Sequence, residues 1–347
     1  MIAMEIAERA GKATWMGIEL DGALTFEAPD QIRAVIAAIG RTEDVRFSLD
    51  NRRLLIAGFA ASKLLVLEIA VVASRGVPVV RLDGAIEIAS PDLQEPHGVD
   101  FAGPDHVVAA NRGGTVQVFR LPAGAPGVRR VTVAAEPLGR SGGFEHVETP
   151  GSVAVVPVHG GRYRVLVCNN FAHHVTRHRL LLGKRPAIRK SAVLIRAGLN
   201  VPDGIAVSPS RRWIAVSSHF TNSVMIYRAG WTLGADTAPA GELVEAGFPH
   251  GVRFTADGRF VLVADAGSPV VRVFAANGDD WSGARGPART VRVLDDDAFQ
   301  RGHINPEEGG PKGIDVDAAS RVLATTCAEQ PLAFFDLRHM LDATQAA

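Results

Sequence analysis

Pro249-His250-Gly251-Val252-Arg253-Phe254-Thr255-Ala256-Asp257-Gly258-Arg259-Phe260-Val261-Leu262-Val263-Ala264-Asp265 reads as a strand, a tight turn and a second strand. Asp-Gly between two short apolar runs is a strong hairpin signal. The same grammar recurs at Pro202-Asp203-Gly204-Ile205, where residues 205–207, a Ser-Pro-Ser-Arg turn and residues 213–216 follow in order. Related starts occur at Thr42-Glu43-Asp44-Val45, Pro96-His97-Gly98-Val99, Pro150-Gly151-Ser152-Val153 and Pro311-Lys312-Gly313-Ile314. Spacings of 47 to 62 residues suit one four-stranded sheet per unit and exceed leucine-rich or ankyrin repeats. No stretch sustains a helical period, although residues 31–39 and 338–347 have a helical alternative. The expected fold is all-β: a six-bladed β-propeller of four-stranded blades, with blades starting near 43, 97, 151, 203, 250 and 312.

The sixth unit offers only three strands, around residues 313–317, 321–326 and 332–337. An N-terminal strand, from residues 23–26 or 16–20, is expected to complete the last blade and remove the open edge. No linker or low-complexity run interrupts the repeat, so residues 1–347 read as a single domain. Lys+Arg and Asp+Glu are both 37, so no global field favours nucleic acid or an anionic membrane as partner. The first residues lack a basic segment followed by a long apolar run, and no stretch is apolar over the roughly 18 residues of a membrane span. Cys168 and Cys327 fall in opposite blades, too far apart for a disulfide, and a reduced cytoplasmic compartment is the expectation.

In such a ring the first strand of each blade lines the channel, and the loop after the second strand returns to the same face. Glu43, His97, Gly151, Asp203, His250 and Lys312 therefore form an inner ring. Arg112, Asn111, Asn169, Asn170 and His219 lie just outside it, with His146 on a segment leading into it. Blade counting sets Glu43 opposite Asp203 and His97 opposite His250. Two carboxylates and two imidazoles suit zinc, manganese or iron, and calcium less well because imidazole is a poor ligand for a hard ion. A second reading needs no metal: Lys312 pairs with Glu43 and Asp203 with His250. At about 4 Å and an effective dielectric near 20, each such pair gains about 4 kcal/mol before desolvation.

Residues 202–216 and 249–265 resemble blades of the propeller superfamily that contains the gluconolactonase-like lactonases (the SMP-30 group), strictosidine-synthase-like proteins and NHL-repeat proteins. The likeness runs from about residue 43 to residue 337 and implies fold more firmly than function. In the lactonase branch a first-blade glutamate, middle-blade asparagines and an aspartate in a Pro-Asp-Gly start hold a divalent metal; Glu43 and Asp203 fill two of those roles. The pattern then departs. Asp203 arrives one blade early, Gly151 stands where an asparagine is expected, and histidines at starts are more like the NHL-type amidating lyases.

The function expected on these grounds is a metal-assisted hydrolase, lactonase-like, or a lyase acting on a small polar substrate in the central funnel. Glu43, His97, Asp203 and His250 would hold the metal, and His219 or His146 would act as general base or acid. Lys312 or Arg112 would take a substrate carboxylate, or in a metal-free variant Lys312 and Glu43 would act as an acid/base pair, with Arg112, Asn111, Asn169 and Asn170 binding substrate. The alternative is a non-catalytic propeller with a salt-linked channel ring that serves as a scaffold for a protein partner. His173, His174 and His178 are read as structural, and Trp213 and Phe220 as packing and loop anchors. No Walker loop, His-Glu-x-x-His or Gly-x-Ser-x-Gly motif is present.

Overall fold

Residues 249–265 form the expected hairpin, with strands Pro249–Phe254 and Phe260–Asp265 paired antiparallel. At the turn the Thr255 hydroxyl and the Arg259 N–H both donate to Asp257 Oδ1 (2.6 and 3.0 Å), and Gly258 takes φ +71° without the strain a side chain would bring. The computed structural model describes residues 14–15, 18–20, 22–74, 76–138, 144–184 and 186–342. Six such hairpins, each extended outward by further strands, make six blades. The first two strands are Thr42–Phe47 and Arg53–Gly58 in blade one, Pro96–Phe101 and His106–Asn111 in blade two, and Pro150–Pro157 and Arg162–Asn169 in blade three. Blade four begins with Pro202–Val207 and Trp213–Ser218, and blade six with Gly313–Val316 and Val322–Thr326.

Strand residues alternate between the two blade junctions, which is why the second strands read as continuous apolar runs. In Arg53–Gly58, Leu54 and Ile56 pack toward blade six while Leu55 and Ala57 pack toward blade two. Every junction has its own cluster of this kind; the blade four and five junction is filled by Trp213, Trp281, Phe254 and Phe274. Fully burying an aliphatic side chain contributes about 2 kcal/mol, so the ring is held together by these facing layers.

Closure follows the sequence reading. Ala23–Leu24 pairs antiparallel with Ala333–Asp336 as the outer strand of blade six. Residues 16 and 17 of the other closing candidate lie outside the described residues. Three features depart from the expectation. Blade two keeps only three strands, because Gly127–Thr132 runs parallel to Val77–Ala89 and so joins the edge of blade one. Asp30–Ala38 is a helix, and Ile32, Val35, Ile36 and Ile39 line its buried face; the period is helical but the run is short. Short helices also form at Asp296–Arg301 and Leu337–Leu341, each opened by an aspartate whose side chain caps it. No helix among the described residues is long and apolar enough to cross a membrane. Cys168 and Cys327 are free and buried.

A bulge at the start of the first strand recurs in blades one to five. It turns the start residue toward the axis and breaks strict alternation, so the residue three places later also faces the channel. The glycine that follows four of the six starts allows adjacent first strands to meet: a Cβ at Gly251 would lie 2.6 Å from the Lys312 carbonyl oxygen. The Gly251 N–H instead donates to that oxygen at 3.0 Å.

Candidate metal centre

The bulged starts converge at the axis. His97 and His250 stack across it with ring centroids 5.2 Å apart, as opposite blades should. Glu43 Oε2 lies 3.7 Å from His97 Nε2 and 3.3 Å from His250 Nε2, and these three residues bring ligand atoms within 4.8 Å of one another. Asp203 Oδ2 sits 3.1 Å from His250 Nε2 and 3.6 Å from His219 Nε2, while Asp203 Oδ1 lies 3.9 Å from His97 Nδ1. The first three form the tight group, and Asp203 flanks it from the His219 side.

The fit to a cation rests on atoms left without partners. Glu43 Oε2, Asp203 Oδ2 and His219 Nε2 are all buried and make no hydrogen bond. Their close neighbours are within ion-pair range but not aligned as donors. Native structures rarely leave buried polar atoms so; Glu43 Oε2 lies within the tight group while Asp203 Oδ2 and His219 Nε2 flank it, and unmet lone pairs of this kind suit a cation. The donor set of one carboxylate and two imidazoles is borderline-soft, matching zinc, manganese or iron. A buried His/His/Glu cluster able to chelate a divalent metal is therefore present.

The electrostatics prepare the same atoms. Burial alone would raise both carboxyls, but Lys312 holds Glu43 well below the usual range, and His250 and His97 do the same for Asp203. Burial pushes His97 down to about 3 against the pull of Asp203, so it is a neutral ligand at physiological pH. His250 is also opposed by burial, yet Asp203 and Glu43 outweigh it and lift its pKa. A metal arriving at His250 competes with a proton for Nε2.

Lys312 Nζ donates to Glu43 Oε1 at 3.2 Å and also pairs with Glu308, and Arg41 closes on the same Glu43 oxygen. The salt link expected between Lys312 and Glu43 is thus present beside the chelating cluster. Arg112 donates to Asn170 Oδ1 at 2.6 Å, and Asn170 donates to Asp203 Oδ1 at 2.7 Å, so Arg112 reaches the ring through Asn170. His219, on a short 3-10 turn, packs its ring 4.3 Å from Phe248 and 5.7 Å from His250.

Other residues in the sequence-derived set lie elsewhere or are otherwise engaged. Asn111 Oδ1 accepts from the Gln94 N–H, and its amide donates to the Asp92 carbonyl and Thr115 Oγ1. Asn169 in the same column accepts from the Glu148 N–H and donates to Thr176 Oγ1. Both are used in holding the loop that leads into their own blade, and Ser218 and Asp265 do likewise for Asn200 and Phe248. His146 is exposed, and its carbonyl accepts from His174 Nε2. His178 is held between the Thr176 and Ser191 hydroxyls, a structural role as expected. Trp213 is buried at a junction, whereas Phe220 is 63% exposed and anchors nothing.

Two columns of the repeat face the channel besides the starts. The residue just after the second strand faces the rim in four blades: Phe59, which the sequence reading did not name, and Arg112, Asn170 and His219, which it did. The residue three after each start makes a second layer beneath it. There Arg46 lies near Asp100 and Asp44 (3.8 and 3.6 Å), and Arg253 pairs with Asp315 and Asp44 (3.1 and 3.3 Å).

Gly151 explains the missing inner-ring asparagine. A Cβ there would lie 2.7 Å from Asp203 Oδ1 and would collide with the Asn170 amide, which fills the vacant slot from the neighbouring column. Gly151→Ala is expected to displace both groups, weakening zinc affinity by roughly tenfold at a stability cost of about 1–3 kcal/mol. Zinc titration and denaturant melts check this, with Gly230→Ala, where a Cβ meets nothing within 4 Å, as control.

Fold and rim together define a six-bladed β-propeller with a buried, metal-competent carboxylate and histidine cluster at one mouth of its channel. No family model matches the chain, and no curated protein does. Among solved structures, a gluconolactonase from Xanthomonas campestris superposes with TM-score 0.51 at 15% identity, covering 86% of each chain. A protein provisionally described as a gluconolactonase superposes with TM-score 0.50 at 14% identity, covering 86% of this chain and 89% of that one. At these identities the likeness establishes the propeller architecture and nothing finer.

Proposed function

We propose that the protein is a metal-dependent hydrolase of a small polar substrate, with a lactone or related ester as the favoured class. The observation that carries this reading is the buried cluster of Glu43, His97 and His250, whose ligand atoms lie within 4.8 Å of one another and whose Glu43 Oε2 has no hydrogen-bond partner. The fold shared with gluconolactonases supports the choice of substrate class. Glu43, His97 and His250 would hold the ion, with Asp203 as a fourth ligand or as the group that steadies His250. A divalent ion there supplies Lewis-acid polarisation of the substrate carbonyl. His219 Nε2, free of hydrogen bonds and facing Asp203, would take a proton from the attacking water and return it to the leaving alkoxide. Arg112 would orient a substrate carboxylate or hydroxyl, and Lys312, retained by Glu308, would lend positive charge at the rim.

The test is elemental analysis of untagged protein purified without chelator, followed by hydrolysis assays on a panel of lactones with added zinc or manganese. His219→Ala should retain the metal while kcat falls about 10²–10⁴-fold. Lack of any bound transition metal after incubation with each ion would refute the reading. The second reading, a non-catalytic propeller that binds a protein partner, is favoured by one observation: Lys312 already neutralises Glu43. It requires that the protein melt identically with and without EDTA.

A further inference from the structure

Blade three carries a second concentration of chemistry, distant from the rim. Its second strand begins at Arg162 on the end away from Asn169, and around that end lies a cavity of about 370 Å³ lined by Arg162, Tyr163, Arg164, Arg177, Arg179 and Lys190. The sheet register places Arg164 directly opposite Arg179, and Arg179 directly opposite Arg189, so three guanidinium groups sit side by side across three strands. Like charges in directly facing positions destabilise a sheet. Burial and then the nearby Arg177, Arg179 and Arg211 lower the Arg164 pKa, which reports the same crowding.

Nothing on the protein relieves this repulsion. Among the described residues, Arg162, Arg164, Arg177, Arg179, Arg211 and Lys190 make no ion pair and no side-chain hydrogen bond. Elsewhere on this net-neutral chain many arginines are ion-paired, among them Arg53 with Glu68, Arg81 with Glu27, Arg272 with Asp265 and Arg321 with Asp317. A local excess of unpaired guanidinium around a ligand-sized cavity marks a place where the missing acid comes from outside.

We infer that the blade three cavity binds a small molecule carrying two or more phosphate groups. Arginine forks match phosphate oxygens in paired hydrogen bonds, and several arginines at one point require a dense, multiply charged anion. The cavity contains no carboxylate in its lining, so nothing opposes the anion or selects an amine. Its size and its confinement to one blade edge favour a compact ligand over the long basic track a nucleic acid backbone follows. An inorganic polyphosphate and a nucleoside polyphosphate share this chemistry.

Isothermal titration of the full chain with sodium tripolyphosphate and with ATP, in ~100 mM salt, tests the inference. One ligand should bind per chain, and Arg164→Gln with Arg179→Gln should weaken it about tenfold or more. The same double variant should melt at a temperature no lower than wild type without ligand, because it removes repulsion and no favourable contact. Tighter binding of ATP would assign a nucleotide, and tighter binding of tripolyphosphate an inorganic chain; either supports the site. Absence of saturable heat with both probes overturns it. So does affinity unchanged in the double variant, which would place the anion at the channel rim. Arginine-dependent binding of duplex DNA or phosphatidylserine vesicles without binding of either small probe overturns it as well.

Discussion

Replacing His250 with alanine is expected to abolish stoichiometric metal binding and to destabilise the folded protein by about 3 kcal/mol. His250 Nε2 is the one group within 3.3 Å of both Glu43 Oε2 and Asp203 Oδ2, so its removal strips a ligand and also leaves two buried carboxylates facing a void. The metal loss should exceed 100-fold, since even outer-shell partners of a metal account for 10–100-fold. The stability loss has a defined pH dependence. In the wild type Glu43 and Asp203 are held below their ordinary values, so they stabilise the fold above the unfolded carboxyl range and cease to do so as acid protonates them. The variant lacks the share of that contribution that His250 supplies, so the gap between the two proteins should close as the pH falls through the acid range, and should narrow again as the pH rises through the raised pKa of His250. Denaturant melts across pH, together with a zinc titration, read both effects. A variant that still binds zinc stoichiometrically would remove His250 from the ligand set.

Lys312→Met should separate the metal site from the salt-linked ring. Lys312 is buried and contacts both Glu43 and Glu308, so its loss leaves Glu308 without its cation and Glu43 without its buried lysine, and should lower metal-free stability by about 3 kcal/mol. The same change removes a positive charge from the rim, so affinity for a divalent ion should rise, and saturating zinc should recover much of the lost stability by mass action. If the ring existed only to pair its own charges, the melt would fall and zinc would restore nothing.

The six starts exposed the propeller in the sequence because each blade repeats the same physical problem. A first strand must approach its neighbours closely at the axis, which demands Gly98, Gly204, Gly251 and Gly313, and its preceding residue is left facing the channel. Opposite blades then meet, and the pairing of His97 with His250 follows from counting. What could not be read was which of two consecutive residues after the second strand turns inward. Asn111 and Asn169 look like binding residues by type, yet each is used up by the backbone of its own loop, and Arg112 and Asn170 face the rim instead. Asn170 filling the space over Gly151 was likewise invisible, because it links two blade positions that lie in different columns. The parallel strand Gly127–Thr132 escaped notice for a related reason, since strand composition does not say which neighbour it will join.

The seam at blade six sets the order in which the centre comes into being. Ala23–Leu24 pairs with Ala333–Asp336, residues about 300 positions apart in sequence, so the ring shuts only once blade six has formed. Lys312 reaches Glu43 across that same seam. A chain lacking its last blade would hold Glu43, His97, Asp203 and His250 without the lysine that neutralises Glu43. Closing the ring therefore also completes the charge balance of the centre.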